Sequence, residues 1–302
     1  SYPAASKTAG FDASLCTYYM SPKGKADATA QANAGSRSNP FGTLEESQLK
    51  LAAGDTLCVL SGTYTFDTFV GAEVLARGTA EDPIKIVGVR TTSTSQLPEF
   101  VFEGAVAFDF RGAIYVTIAD INVDGGAGKL TLTQAISDIW WSRKRFSSGL
   151  GRTCFRLRDK SRHVTIRNCA CHDATESAVN VLDAYYTTIR DNIFYRIGWY
   201  GTEDVAAVKR SYVSASKEEE EDAYRLRVEN NAIWNVESHF YQRDLDIGVP
   251  SFVGAHAISL EAVTDADSRM LVSDNLVAFN ANATFKFRLA PYLVVEKNTI
   301  YS

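Results

Sequence analysis

No apolar run in these 302 residues approaches the roughly 20 that a bilayer span needs, so no membrane helix is expected. No charged-then-apolar leader opens the chain, so any such segment is expected to have been removed or never present. Cysteine is scarce: Cys16, Cys58, Cys154, Cys169 and Cys171 form an odd set without metal-ligand spacing, which argues against zinc. Gly-x-Ser-x-Gly, the phosphate loop and the dinucleotide fingerprint are all missing, which lowers the expectation of hydrolase-fold esterases, kinases and dehydrogenases. A basic excess is missing too. Thirty-one Lys and Arg against 36 Asp and Glu give −5, which argues against nucleic acid as a partner. What remains is 45% apolar and 22% charged residues, enough for a packed core.

The chain repeats itself. One phrase recurs as Val164–Cys169, Thr187–Asn192, Leu226–Asn231, Met270–Asn275 and Leu293–Asn298, with a degenerate earlier copy at Val116–Ile121. The central β-branched residues Ile118, Ile166, Ile189, Val228, Val272 and Val295 mark the copies, at steps of 48, 23, 39, 44 and 23. A unit of 23 residues fits if 48 is two units plus two, 39 one plus 16, and 44 one plus 21 or two short units. Each phrase reads as a strand in which β-branched and polar residues alternate. Three positions past the marker stand Cys169, Asn192, Asn231, Asn275 and Asn298, which predicts a ladder of side-chain amides bonded from unit to unit. Five past it stand Val123, Cys171, Phe194, Ile233, Val277 and Ile300, an apolar stack. Cys169 and Cys171 are expected to be buried thiols.

A second strand precedes each marker. Alternation turns Phe108/Phe110, Phe155/Leu157, Val179/Val181, Ala206/Val208, Ile258/Leu260 and Phe285/Phe287 inward. Two or three short strands per unit, with no room for a helix, describe an all-β parallel β-helix whose coils stack at about 4.8 Å. The expected organisation is one domain over 1–302, with an N-terminal cap to about residue 60 and coils from about 61. Thr43-Leu-Glu-Glu46 is a capping box predicted to open a cap helix through about Ala53, ended by Gly54, with Leu44, Leu49 and Leu51 on its apolar side. No cap is visible at the other end. More protein, a second copy or another chain is expected to cover it.

The opening (Tyr18–Gly24, Asn39–Thr43, Ala53–Thr56, Ser61–Tyr64, Gly78–Ile84) resembles the right-handed parallel β-helix proteins of the pectate-lyase superfamily. Two stretches narrow the likeness to polysaccharide lyase family 6, the alginate lyases and chondroitinase B. Gly201–Lys209 is similar to the family's stretch of glycine, paired acidic calcium ligands and lysine base, and Phe285-Lys-Phe-Arg288 to the strand carrying its catalytic arginine. The resemblance implies a secreted lyase with Lys209 as base, Arg288 as the second catalytic residue, and calcium as cofactor. Asp204 matches one ligand; Thr202 stands where the other carboxylate belongs, and Glu203 is adjacent. The repeat containing Ile258–Glu261 falls between the lysine and the arginine, which are on adjacent coils in the family.

The residues argue independently for an anionic ligand. Outward positions of the upstream strand read Asp109, Arg111, Arg156, Arg158, Asn180, Lys209, Ser259, Glu261, Lys286 and Arg288: six cations and two acids on an acidic chain. Coil spacing would set these cations in a row matched to the carboxylates or sulfates of a uronic-acid polysaccharide. Guanidinium favours planar carboxylate recognition. Arg111, Arg156, Arg158, Asn180, Glu261 and Lys286 are therefore candidate substrate contacts. Tyr185, Tyr186, Trp199, Tyr200 and Tyr212 are candidates for stacking on sugar faces, or equally for packing. His172-Asp173 is expected to close a turn rather than act as a dyad. The rival class is a structural or adhesive β-helix protein that assembles with other chains. A glycoside hydrolase would need a second carboxylate beside Glu261.

Overall fold

The computed structural model describes residues 13–25, 27–66, 70–90, 92, 95–129, 131, 133, 151–198, 205–210, 224–237, 241–243, 250–252, 255–261, 269–280, 284–288 and 292–301. Each marker strand continues through a short turn into a second strand and then a third, so each coil has three sides. Among the described residues these sides form a ten-stranded sheet A, an eight-stranded sheet B and a seven-stranded sheet C, all parallel, plus one two-stranded antiparallel ribbon. This is the parallel β-helix that the repeat predicts.

The markers stack in register. Ile118 pairs with Ile166, Ile166 with Ile189, Ile189 with Val228, Val228 with Val272 and Val272 with Val295, all in sheet A. Each step is therefore a single coil. The step of 48 holds one coil, not two, because Ile114–Ala119 pairs directly with Ser161–Arg167 and the surplus lies between them. Side chains of adjacent coils pack in a continuous apolar column from Met20 and Leu57 to Val277. Burial of that column is the main favourable contribution, at about 25 cal/mol per Å² of apolar surface.

The turn between sheets A and B repeats one set of bonds on three successive coils. Asn192 donates from Nδ2 to Ile166 O (3.0 Å) and to Asn231 Oδ1 (3.0 Å), while its own backbone N–H also reaches Asn231 Oδ1 (3.0 Å). Asn231 repeats this with Ile189 O and Asn275, and Asn275 with Val228 O and Asn298. The residue before each ladder position takes a left-handed φ, from Asp120 (59°) through Asn168, Asp191, Asn230 and Asp274 to Lys297 (53°). Short polar side chains tolerate that conformation, which explains the run of Asp and Asn.

Several expectations need correction. The cap helix covers only Leu44–Gln48; Thr43 caps it, accepting from Glu46 N–H at 3.2 Å, and Leu49 is exposed rather than packed. A strand at Tyr18–Met20, unseen in the sequence, pairs with Thr56–Leu60 at the start of sheet A. Cys171 is no thiol. It forms a disulfide with Cys154 that links sheet B to sheet C, and Cys16 forms one with Cys58, so only Cys169 is free. Two disulfides are compatible with an oxidising compartment. The inward pair assigned as Ala206/Val208 is displaced by one step. The partners of Val179 and Val181 are Val208 and Arg210, so a fully buried arginine stands in register between Val181 and Leu260. No helix among the described residues is long and apolar enough to cross a membrane.

Candidate functional site on the outer face of sheet C

Sheet C brings the outward residues of the upstream strands into one row. Glu73, Asp109, Arg156, Asn180, Lys209, Ser259 and Lys286 are in register on seven successive strands. Two residues further along their strands, Arg111 pairs with Arg158, and Glu261 with Arg288. Eight of the ten sequence-predicted site residues are thus on one sheet. The other two, Glu203 and Asp204, lie outside the described residues, as do Trp199, Tyr200 and Tyr212.

The row is not a line of free cations. Asp109 is fully buried and receives a two-pronged contact from Arg156, Nε at 2.9 Å and Nη2 at 2.8 Å, and a second from Arg158, with Nη2 at 2.7 Å. Burial by itself pushes the Asp109 carboxyl up; the hydrogen bonds and charges of the two arginines outweigh it and hold the group below its ordinary range. Arg111 bonds Glu73 at 2.7 Å and Asp159 at 3.0 Å, and those hydrogen bonds raise its guanidinium above the usual value. Lys286 is paired with Glu261. The amino-terminal half of the row is therefore a balanced network: three arginines against Glu73, Asp109 and Asp159. Glu73 and Asp159 were missed in the sequence because one precedes the first recognisable marker and the other lies in a turn.

Beyond this network the row changes character. Asn180, 8% exposed, lies between Arg156 and Lys209, and its Oδ1 is buried without a hydrogen bond among the described residues. Lys209 is half-buried and Arg288 is exposed. Their strands are separated by the strand of Ser259 and Glu261, so two coil steps, about 10 Å, lie between the backbones. Tyr185 is buried, with its hydroxyl on Asp183 at 2.9 Å, and cannot stack on a sugar. Tyr186 stacks on His163 at 4.8 Å on sheet A, away from this face.

Among the described residues, one group brings three possible metal ligands together: Asp124, His172 and Asp173, with donor atoms within 4.8 Å of one another at the end of sheet B. Sequence reasoning missed it; its trace is that Asp124 and His172 each follow the apolar column by one residue. Calcium takes six to eight oxygens, and these residues do not fit it. His172 Nδ1 bonds Asp173 Oδ2 at 2.7 Å, Arg196 bonds the same oxygen, and Lys129 is 3.7 Å from Asp124. The cationic side chains already neutralise the carboxylates. Asp173, at a φ of 55°, sits in the turn as expected, and its Oδ1 is packed against Gly128, where a Cβ would approach to 2.7 Å.

These three sheets, with a polar row along one of them, define a class: parallel β-helix proteins, among which are enzymes acting on carbohydrate chains. The chain is similar to a rhamnogalacturonan lyase, at 15% identity and TM-score 0.57, over 94% of this chain and 62% of that one. It is also similar to a family 136 lacto-N-biosidase from Eubacterium ramulus, at 12% identity and TM-score 0.58, over 94% and 56%. The chain thus spans about three-fifths of the length of those two proteins. Likeness at this identity is one of fold. No family model and no curated protein sequence matches the chain.

Proposed function

We propose that the protein is secreted, binds an acidic, uronate-bearing polysaccharide along the outer face of sheet C, and cleaves it by β-elimination. The observation that carries this reading is the in-register row from Asp109 to Lys286, with its arginines clamped at the Asp109 end and Lys209 at its centre. Guanidiniums held by a buried carboxylate lose little freedom when a sugar carboxylate arrives, so binding is less opposed by side-chain entropy. The fold likeness to a rhamnogalacturonan lyase supports the same class of substrate.

In this reading Arg156 and Arg158 hold one uronate carboxylate, Asn180 contacts the sugar beside them, and Lys209 takes the proton beside the carboxylate. The electron pair forms the carbon–carbon double bond as the glycosidic C–O bond breaks. Arg288 stabilises or protonates the departing oxygen, with Arg111, Glu261 and Lys286 contacting neighbouring sugars. Calcium enters only through Asp204 and Glu203, where a bound ion would neutralise the uronate carboxylate.

One observation favours a second reading, a non-catalytic structural or adhesive protein: Arg111, Arg156, Arg158 and Lys286 are all engaged by acids, and Lys209 and Arg288 are not on adjacent coils. Ultraviolet absorbance of unsaturated uronate products, over alginate, pectate, rhamnogalacturonan and chondroitin with and without calcium, separates the two. We expect a product from one polymer, abolished by Lys209→Met. Silence on every polymer discards the elimination chemistry.

A further inference from the structure

The recurring phrase holds two residues that the core does not use. In Val164-Thr-Ile-Arg167 and Thr187-Thr-Ile-Arg190 the isoleucines are the markers, while the threonine and arginine on either side of each lie on the other face of sheet A. Stacking aligns them. Thr117, Thr165 and Thr188 occupy one register position on three successive coils, followed by Arg227, and Arg167 pairs with Arg190 beside them. Together with Glu229 they line an open pocket of about 430 Å³, within the roughly 300–1,000 Å³ range of small-molecule sites.

Its charges are unevenly matched. Arg227 is held by Glu229 at 2.9 and 3.1 Å, and Arg190 by Asp191 at 3.1 Å. Arg167 makes no side-chain hydrogen bond among the described residues, and the acid that acts on its charge, Asp120, is itself bonded to Asn168. The three threonine hydroxyls make no hydrogen bond among the described residues either. Two like charges directly opposite on neighbouring strands, about 5 Å apart, are unfavourable. Asp191 and Asp120 offset part of that repulsion. An oxyanion between Arg167 and Arg190 would offset the rest and take up guanidinium N–H groups that the described residues leave without a hydrogen bond. Two residues earlier along the same strands, Tyr115, His163 and Tyr186 stack ring on ring at 4.2 and 4.8 Å. Rings, hydroxyls and guanidiniums thus run as three parallel lanes across the coils, the mixture of apolar edge, hydroxyl partner and charge that an anionic sugar presents in return.

We infer that the outer face of sheet A is a second saccharide-binding site, for an oligosaccharide bearing carboxylate or sulfate groups, with Arg167 and Arg190 as its oxyanion clamp. It lies on a different sheet from the row on sheet C and shares with the proposed function only the class of ligand. On a long polymer, two such faces on one chain would raise apparent affinity by local concentration.

Calorimetric titration of the full chain tests this, with trigalacturonate, a chondroitin sulfate tetrasaccharide and maltotriose as probes. A Lys209→Met/Arg156→Gln background silences sheet C. In that background we expect one anionic probe still to bind, maltotriose not to, and Arg167→Gln/Arg190→Gln to weaken binding about tenfold or more. Thr165→Val should weaken it about threefold without moving the melting temperature, which separates binding from folding. Trigalacturonate carries carboxylate alone and the chondroitin probe both groups, so comparing the chondroitin tetrasaccharide with its desulfated form distinguishes the two possible sources of the oxyanion. No anionic binding in the sheet C background, or equal binding after the double arginine change, overturns the site. Elimination by the wild type is read separately, so either proposal can fail alone.

Discussion

The turn between sheets A and B and the outer face of sheet C are built on the same coils and obey opposite rules. At the turn one residue type is repeated, Asn192, Asn231, Asn275 and Asn298; the first three make the same bonds, and Asn298 keeps the bond to the marker carbonyl of the preceding coil, Val272 O. On sheet C no residue type occupies two successive positions of the row: Glu73, Asp109, Arg156, Asn180, Lys209, Ser259, Lys286. A uniform column is what stacking stability asks for, since every amide is satisfied by its copy above and below. A varied column gains nothing from repetition. Its residues have to be explained by what they meet individually, either each other or a ligand.

The comparison breaks first at the ladder. Asn231 is 1% exposed, and its side chain satisfies Ile189 O and Asn192 N–H. Asn231→Ala leaves both backbone groups buried and unpaired, so we expect a loss of about 4 kcal/mol by denaturant titration. Asn298 at the last coil is less buried and has no successor in the described ladder; Asn298→Ala should cost about 1 kcal/mol. Equal losses at the two sites would refute cooperative stacking as the source of the ladder's strength.

Sheet C should respond next, and through charge. Asp109→Ala strands Arg156 and Arg158, whose side chains are 22% and 28% exposed, so we expect about 2–4 kcal/mol, less than for a fully buried pair. The Asp109 carboxyl is lowered in the folded state, so its contribution is present above the unfolded value of 3.8 and is lost as pH falls through the folded value. Acid unfolding should therefore begin at higher pH in a variant that weakens the clamp without removing the carboxylate, such as Arg156→Gln. An unchanged acid midpoint would mean that Arg158 alone holds the carboxyl down.

What was legible in the sequence follows the same division. The markers, the ladder and most of the inward pairs could be read because each is a column of like residues, and a column survives insertions of any length. Insertion lengths were not legible, since 48 residues accommodate one coil with a surplus as readily as two coils. Nor were the acids that clamp the arginines. Asp109 was visible on the face, but its bonds to Arg156 and Arg158 join residues 47 and 49 positions apart. The disulfide Cys154–Cys171 and the grouping of Asp124, His172 and Asp173 likewise depend on how sheets and coils meet at a corner. Arg210 shows the limit from the other side. An arginine in an apolar column contradicts the composition rule, so Ala206/Val208 reads as the inward pair in the sequence, whereas the sheet register sets Val208 and Arg210 against Val179 and Val181.

The smallest expected effect, and the sharpest comparison, is at the single irregular rung. Cys169 holds the ladder position on its coil, but its thiol reaches Arg167 O at 3.3 Å and Ile118 O at only 3.9 Å. The backbone N–H groups of Asp120 and Ile121 face the sulfur, a weaker acceptor than an amide oxygen. Burial pushes the thiol up to about 12, so it should resist alkylation in the native state near pH 8 and react only on unfolding. That neutral thiol contributes stability below its unfolded value near 8.5, lost as pH rises through the folded value. Cys169→Asn would place Nδ2 toward Ile118 O and Asn192 Oδ1, and Oδ1 toward the Ile121 N–H, as the next rung does. The two side chains are close in volume, so we expect a gain of about 0.5–1 kcal/mol at neutral pH. A loss would mean that the ladder begins at Asn192 because the coil above it, where Ile121 holds the position, is shaped for an apolar rung. The irregular residue would then be part of the design of that end rather than a gap in the repeat.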